Sequence, residues 1–348
     1  MGSRTLPRNS LAEPPPREAK RGQAGPWRTR PWWPWTRRLL TLLFFALVIA
    51  LLVRYGQNVD WNDVLESVRN TPRPALLIAG ALAATSYLLY SCFDLLGRHY
   101  TGHKLPTLTV MGVNFISYAF NLCLGSVVGA VAFRYRLYSQ LGLAYGVITR
   151  VVSISMLTNW VGYLLLGGLV FLLQPLALPP SWKMGNHGLQ WLGAAMIMVA
   201  LGYVVACVRS GDRVWEVRGH ELYLPPWRMA VLQLVMSCTN WSLMAGVVFV
   251  LLGEKIPYTD VLTVLLIGAI AGVLAHVPAG LGVLEFVFVA LLSHVVPESR
   301  LIAALLGYRA LYYIAPLLIA GVLYVVIETH AKRIRPSPSN AQLKNQGD

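Results

Sequence analysis

Five charged side chains lie inside or at the edges of long apolar stretches of this sequence: Asp94, Arg134, Arg150, Glu285 and Arg309. A charge at membrane depth costs about 2.5–3.5 kcal/mol on insertion scales, so it normally faces a partner, a cavity or water. Three arginines against two carboxylates leave a net charge of +1. Because a planar guanidinium binds phosphate oxygens bidentately, the pattern predicts a head-group site with Arg134, Arg150 and Arg309 as ligands.

A simpler interpretation exists for some of these charges. Asp94 lies near the end of its apolar stretch, where it could reach the membrane surface or pair with Arg98 one helical turn later. Arg150 and Arg309 lie in the first turns of theirs, where a long side chain could extend to the interface. Glu285 has no such exit, since LGVL precedes it and FVFVALL follows it. A carboxylate there must be neutral, paired or hydrated.

Glu285 ends the segment HVPAGLGVLE at 276–285, which contains strong helix breakers. Pro278 ends a helix, while Gly280 and Gly282 allow backbone torsions that other residues avoid. The helix that resumes after the glycines has free N–H groups and a positive dipole end, which attract a phosphate. A proline kink with glycines in helix packing is the alternative interpretation.

A second interrupted stretch, 107–133, contains Asn121, Gly125 and Gly129. Asn121 and His276 add hydrogen-bonding capacity to the predicted head-group site, although a lone polar residue in a membrane helix more often contacts a neighbouring helix. We therefore predict two broken, re-entrant segments that line one lipid site.

The composition places the chain in a membrane. Of its 348 residues, 56% are hydrophobic and 13% are charged, whereas a soluble domain carries about 25% charged residues. The net charge of +14 is concentrated beside the apolar stretches. Basic residues in that position indicate topology and attraction to anionic lipids, so we expect phospholipid partners and no nucleic acid.

Motifs for an enzyme, a metal or a cofactor are missing from the sequence. The four cysteines lie in apolar stretches without a CxxC spacing, and the seven histidines form no HExxH motif. No nucleophile–base pair or nucleotide-binding loop is visible. We therefore expect no metal, no cofactor and no catalytic activity, with a membrane-embedded transferase as the alternative.

The organisation predicted from these features is one membrane domain between two tails. Residues 1–36 are rich in Pro, Arg, Gly and Ser, which predicts a disordered basic tail with interfacial tryptophans, and 331–348 form a second basic tail. The membrane domain covers 37–330. Its first apolar run, Leu39–Val53, begins too far from Met1 for a signal peptide, so we expect an uncleaved span.

The charges of the loops favour one topology. Eight apolar runs are visible, at 39–53, 75–97, 107–133, 146–173, 189–208, 229–252, 259–292 and 301–327. If all eight cross, the Arg-rich segment 209–228 lies outside, which inverts the positive-inside bias. If 107–133 and 259–292 enter and return on the same side, the segments 134–145 and 209–228 and both termini become cytoplasmic. We predict an all-α polytopic protein with six crossing helices and two re-entrant hairpins, with eight crossing helices as the alternative.

This topology contains two copies of the same unit, helix–hairpin–helix, in opposite orientations. Transporters often combine such inverted repeats with broken helices that meet near the midplane. The spacing from Gly129 to Arg134 equals that from Gly280 to Glu285. We therefore expect Arg134 and Glu285 to occupy equivalent places and to pair with each other across the repeat.

Three segments carry a resemblance to a known family: SYAFNLCLGSVVGAVAFRYRLYSQLGL at 117–143, HVPAGLGVLE at 276–285 and GYRALYY at 307–313. Over roughly 36–335 the chain resembles the transmembrane region of lysylphosphatidylglycerol synthases and its stand-alone, flippase-like bacterial relatives. The second segment is similar to the family pattern Pro-x-Gly-x-Gly-x-x-Glu. The first departs from Pro-Gly then Gly-Glu, since Leu124 and Ala130 stand in the nearest places.

The resemblance implies a bacterial inner-membrane protein that moves or presents a lipid between leaflets. The longest non-apolar stretch after the tail has about 20 residues, so we expect no aminoacyl-transfer domain and no synthesis of lysyl-lipid. The predicted function is translocation of an anionic phospholipid. The alternative is a scaffold that presents lipid to a lipid-synthesising enzyme.

Overall fold

The computed structural model describes residues 61–173, 186–210, 214–217, 220–253, 256–275 and 280–334, and single positions at 43, 46, 50, 53 and 57. The predicted tail 1–36, residues 335–348 of the second predicted tail and most of the apolar run 39–53 lie outside the described residues, while 331–334 continue the last helix. His276 and Pro278 lie outside them as well.

The described chain is almost entirely helical. Its helices are α1 Trp61–Asn70, α2 Arg73–Ser91, α3 Phe93–Thr101, α4 Thr107–Leu124, α5 Phe133–Gln140, α6 Tyr145–Leu173, α7 Asn186–Ser210, α8 Trp227–Leu251, α9 Tyr258–Ala275, α10 Val283–Leu292, α11 Glu298–Arg309 and α12 Ala315–Ile334. Two π-helical segments, π1 Val127–Ala132 and π2 Ala310–Ile314, interrupt this series. Among these residues, seven helical segments are long and apolar enough to cross a membrane. The predicted all-α polytopic class is confirmed.

One element was not expected from the sequence. Strands β1 Val214–Val217 and β2 His220–Tyr223 pair antiparallel between α7 and α8, with Val214 opposite Tyr223. The two short segments contain Val, Trp and Tyr, which favour extended backbone. The Arg-rich loop at 209–228 therefore contains a small hairpin.

The first interrupted stretch forms a helical hairpin. Helix α4 ends at Gly125, which has φ 87°, and the chain returns through π1 and α5. At the tip, a Cβ on Gly129 would lie 2.1 Å from the Cα of Asn121. At the base, the rings of His103 and Tyr138 lie 6.4 Å apart. Both ends of the hairpin therefore lie at the same end of the helix bundle.

The second interrupted stretch forms a hairpin of the same kind. A Cβ on Gly268 in α9 would lie 2.7 Å from the Leu284 side chain in α10, so the two arms pack closely. Asp260, at the start of α9, interacts electrostatically with His294, which follows α10. The second hairpin therefore also returns to the end at which it starts, which confirms the prediction of two hairpins.

The two hairpins open toward opposite ends of the bundle. Leu96 in the middle of α3, Ile154 in the third turn of α6 and Met229 in the first turn of α8 pack in one cluster, on the side of the first hairpin's base. Helix α8 then runs 25 residues, about 37 Å, before the second hairpin begins. The helix–hairpin–helix units at 73–173 and 227–334 therefore have the inverted arrangement expected from the sequence.

Candidate functional site

The second unit contains a buried ion pair at the break of its hairpin. Glu285 lies in the first turn of α10, and Arg309 is the last residue of α11. The guanidinium donates from Nε to Glu285 Oε1 at 2.5 Å and from Nη2 to Oε2 at 2.9 Å. The Arg309 side chain is 3% exposed and that of Glu285 is 20% exposed. This is a bidentate contact between a guanidinium and a planar oxyanion.

The surroundings of Arg309 also suit an anion. Arg309 Nη2 donates to the carbonyl of Gly280 at 3.2 Å, and the guanidinium carbon lies 5.5 Å from the centre of the Tyr313 ring. Gly280 and Gly282 have φ angles of 57° and 78°, in the left-handed region that the sequence predicted for them. Gly282 provides no side-chain cap for α10, so the first N–H groups of that helix face the same region without a capping side chain.

The pair lies well inside the bundle. At 1.5 Å per residue, Glu285 lies about 10 Å along α10 from Leu292, and Arg309 lies about 16 Å along α11 from Glu298. Irregular backbone at such depth occurs only where it is buried in protein or lines a wet cavity. A ligand that reaches Arg309 must therefore enter between the helices.

The first unit contains a second buried ion pair, between Arg134 in α5 and Asp94 in α3. Arg134 Nε donates to Asp94 Oδ2 at 3.0 Å, and both side chains are at most 1% exposed. The remaining donors of Arg134 contact the Ala130 carbonyl at 2.8 Å, Ser155 Oγ at 3.1 Å and Asn114 Oδ1. This guanidinium is held by three helices and π1, so it serves the packing of the first unit.

The burial of Asp94 was not expected from the sequence. It is fully buried, and besides Arg134 it accepts a hydrogen bond from the Tyr138 hydroxyl at 2.8 Å. Neither the membrane surface nor Arg98 satisfies it: Arg98 instead donates to Thr107 Oγ1 at 2.6 Å. Its position near the end of an apolar run gave no signal of burial, because the partner lies 40 residues later.

The expected pairing of Arg134 with Glu285 is wrong. Each charge is neutralised inside its own unit, Arg134 by Asp94 and Glu285 by Arg309. The two do occupy similar places, each on the returning arm of a hairpin and five residues after a glycine. A buried charge pairs with an opposite charge on a helix that packs against its own helix. For both returning arms, that neighbouring helix belongs to the same unit.

The other predicted ligands lie apart from Arg309. Arg150 is exposed in the second turn of α6, and the described contacts do not join it to Arg309. Asn121 is half-buried at the tip of the first hairpin, where its carbonyl accepts the N–H of Gly125. Gly129 permits the close approach of the two arms at that tip. Helix α4, which leads into this tip, packs against π2, the segment that contains Tyr313.

A buried cluster of hydroxyl groups joins the two units, and no sequence motif predicted it. Ser86 Oγ donates to Asn240 Oδ1 at 2.8 Å and lies 2.6 Å from the Tyr312 hydroxyl. The Tyr118 hydroxyl lies 3.1 Å from that of Tyr312, and the Tyr87 hydroxyl donates to the Tyr312 carbonyl at 2.9 Å. Tyr312 lies in π2, three residues after Arg309, so the wide helical turn connects the ion pair to the contact between units.

Across the described residues, no three His, Cys, Asp or Glu side chains lie together in a way that could hold a metal ion. What the geometry offers is a buried cation at a helix break, already bound to one carboxylate. Such a site can bind a phosphate, sulfate or carboxylate by its two parallel N–H groups.

Several known proteins are similar to this chain over most of its length. The family model described as the lysylphosphatidylglycerol synthase TM region matches residues 38–320. The chain belongs to this family. Inner membrane protein YbhN of Escherichia coli (strain K12) is 45% identical over 309 residues, covering 88% of this chain and 97% of YbhN. The protein slr0712 of Synechocystis is 28% identical, covering 78% and 85% of the two chains.

Enzymes also contain this region. The phosphatidylglycerol lysyltransferase of Staphylococcus haemolyticus is 25% identical over 82% of this chain, which spans 34% of the enzyme. With YbhN as a relative and seven candidate spans among the described residues, the protein is a multi-pass membrane protein, and the inner membrane is the location that this relative supports. The family connects the chain to lipid chemistry without assigning it a reaction.

Proposed function

We propose that this protein moves anionic phospholipids between the leaflets of the inner membrane, with Arg309 as the ligand of the head-group phosphate. The observation that carries the proposal is the bidentate contact between Arg309 and Glu285 at the break of the second hairpin. A guanidinium that holds two carboxylate oxygens presents the same pair of donors to two phosphate oxygens. The site is thus built for an oxyanion inside a membrane protein.

The architecture supports movement of the ligand as well as binding. Two hairpins with broken backbone open toward opposite ends of the bundle, and transporters place substrate sites at such breaks. Helix α4 of the first hairpin packs against π2, which contains Tyr313, and the Tyr313 ring lies 5.5 Å from the guanidinium carbon of Arg309. Rocking of one unit against the other would therefore expose Arg309 to each side in turn.

The relatives support the choice of lipid. Several relatives are phosphatidylglycerol lysyltransferases, and phosphatidylglycerol is an anionic phospholipid. A phosphodiester with no positive charge of its own suits a site whose ligand is an arginine. We propose phosphatidylglycerol as the representative substrate, with Arg150 at the surface as a second contact on the path and Asn121 and His276 as polar neighbours.

The test is lipid movement in proteoliposomes that contain only this protein. Vesicles of phosphatidylcholine receive tail-labelled phosphatidylglycerol, and dithionite bleaches the label in the outer leaflet. Wild-type protein should make the inner-leaflet label accessible within minutes, whereas protein-free vesicles keep all of the inner-leaflet label, about half of the total, protected. A wild-type trace equal to the protein-free trace would contradict translocation.

Variants on one helix connect this activity to the site. Arg309→Ala should lose transport, because each charged hydrogen bond to phosphate contributes about 1.5–3 kcal/mol. Arg309→Lys keeps the charge and loses the planar fork, so it should give an intermediate rate. Arg300→Ala on the same helix is the matched control, since Arg300 is exposed. Equal rates for all four proteins would remove Arg309 from the mechanism.

A second candidate function is a scaffold that presents lipid to a lipid-modifying enzyme. The observation that favours it is the match of this whole region to one third of a lysyltransferase. A scaffold binds phosphatidylglycerol through Arg309 but moves none. Binding without leaflet exchange in the same vesicles would select this function.

Orientation is part of the proposal. We propose that both termini and the segments 134–145 and 209–228 face the cytoplasm, because their arginines then follow the positive-inside bias. The packing supports this proposal, since the base of the first hairpin and the start of α8 lie at the same end of the bundle.

A further inference from the structure

The two buried ion pairs hold their carboxylates differently. Asp94 is fully buried and accepts from both Arg134 and Tyr138 on one oxygen. Both oxygens of Glu285 accept from Arg309, and the Glu285 side chain is 20% exposed against 3% for Arg309. Glu285 therefore occupies the accessible side of its pair, and Arg309 the protected side.

The contact with Glu285 uses one edge of the Arg309 guanidinium, the edge formed by Nε and Nη2. Two oxygens of a phosphate bind such an edge in the same way, with parallel N–H donors. The carboxylate and a phosphate bound at that edge are therefore mutually exclusive. A head group can take this place only when Glu285 leaves it.

The backbone around Glu285 favours such a departure. Glu285 lies in the first turn of a ten-residue helix whose preceding residue, Gly282, has φ 78° and gives no side-chain cap. The Glu285 side chain is 20% exposed where that of Arg309 is 3% exposed, so the carboxylate lies on the open side of the pair. Rotation of the Glu285 side chain within that opening removes it from Arg309 without moving the buried arginine.

We propose that Glu285 is an internal competitor that occupies the phosphate place on Arg309 until a lipid head group replaces it. This inference rests on the function proposed above. In the resting state Glu285 keeps the buried guanidinium paired, so the empty site is neutral and hydrogen-bonded. An entering phosphodiester replaces the Glu285 carboxylate on Arg309, and Glu285 replaces the phosphodiester when the lipid leaves. Release of the lipid is therefore as feasible as its binding, and a transporter needs both.

Replacing a residue of a binding site usually weakens binding, whereas the competitor hypothesis predicts tighter binding when Glu285 is replaced. Glu285→Gln should bind phosphatidylglycerol on the order of tenfold more tightly, because the bidentate ion pair to be displaced becomes a single hydrogen bond from the guanidinium to a neutral amide oxygen. Glu285→Asp keeps the charge but shortens the side chain, so it should give a smaller gain. The same variants should slow transport, since a tighter complex releases its lipid more slowly.

The experiment titrates tail-labelled phosphatidylglycerol into full-length protein in dodecyl maltoside micelles and measures fluorescence anisotropy. Glu298→Gln, an exposed carboxylate on α11, is the matched control and should bind as the wild type does. Adding Arg309→Ala to Glu285→Gln should abolish the gain. Each variant is first checked for monodispersity and thermal midpoint, and Glu285→Asp serves if Glu285→Gln does not fold.

The outcomes separate this inference from the proposed function. Tighter binding that requires Arg309 supports the competitor. Unchanged or weaker binding by a folded Glu285 variant overturns it and makes Glu285 a residue that positions Arg309. Weaker binding of phosphatidylethanolamine, with no gain for phosphatidylglycerol, also overturns it and assigns Glu285 to the amine of a zwitterionic head group. Wild-type affinity in Arg309→Ala alone would contradict the proposed function instead.

Discussion

Replacing Arg134 with alanine tests how much the ion pair of the first unit contributes to stability. The substitution removes four donated hydrogen bonds, to Asp94, the Ala130 carbonyl, Asn114 and Ser155. It leaves the fully buried Asp94 carboxylate with the Tyr138 hydroxyl as its hydrogen-bond donor. The loss of one partner from a buried pair is thus the main effect.

The expected cost is about 3–5 kcal/mol, the range found when one partner of a buried pair is removed. Adding four charged hydrogen bonds at about 1.5–3 kcal/mol each would give a larger number. That sum overshoots, because part of it offsets the cost of burying the arginine. Removing both charges should restore most of the stability, since an apolar replacement of a buried pair is often neutral.

The assay is the thermal midpoint of detergent-solubilised protein, followed by loss of the monodisperse peak in size-exclusion chromatography. Arg134→Ala should lower the midpoint by several degrees, and the double variant Asp94→Asn, Arg134→Met should recover most of that shift. Arg150→Ala is the matched control, because Arg150 is exposed and its removal should change stability by at most about 0.5 kcal/mol.

Two results would refute this reasoning. A midpoint for Arg134→Ala equal to that of Arg150→Ala would mean that the buried pair contributes nothing net. A double variant no more stable than Arg134→Ala would mean that the uncompensated Asp94 charge is not the cause of the loss.

Three further predictions follow from the same structure. Gly129→Ala should prevent assembly of the first hairpin and abolish monodisperse expression, because its Cβ would lie 2.1 Å from backbone atoms of the opposite arm; Gly80→Ala, with nothing within 4 Å, should express normally. Tyr312→Phe should lower stability by about 1–2 kcal/mol in the thermal assay, because its hydroxyl joins the two units. In a cysteine-free background, single cysteines at 141–144 should be labelled from the cytoplasmic side and those at 252–257 from the opposite side; labelling of both from one side would contradict the inverted arrangement.

Several features of the fold followed from residue types alone. Apolar runs near the length of a membrane crossing indicated the spans, since a helix satisfies all its backbone hydrogen bonds internally, as the lipid environment requires. Glycines at 125, 280 and 282 indicated where the chain reverses, and all three have positive φ. These features are local, so the sequence predicted them with little error.

The partners of the buried charges did not follow from the sequence. Equal spacing from a glycine correctly placed Arg134 and Glu285 on similar arms, yet it said nothing about which helix packs against each arm. Asp94 lies 40 residues before Arg134, and Arg309 lies 24 residues after Glu285. No periodicity connects residues at such separations, so the prediction of one pair across the repeat was wrong.

By itself, the sequence determined that this chain enters a membrane, that two of its apolar segments break, and that a few charges are carried into the bundle. Composition decides which segments enter the bilayer, and helix breakers decide where those segments are interrupted, so both effects are local. Only the tertiary structure decided that Arg134 belongs to a fully buried packing contact and that Arg309 pairs with Glu285, whose side chain is partly exposed. The reason is that desolvation and Coulomb attraction act between whichever side chains the packed helices bring within about 3 Å, and packing is a property of the whole bundle.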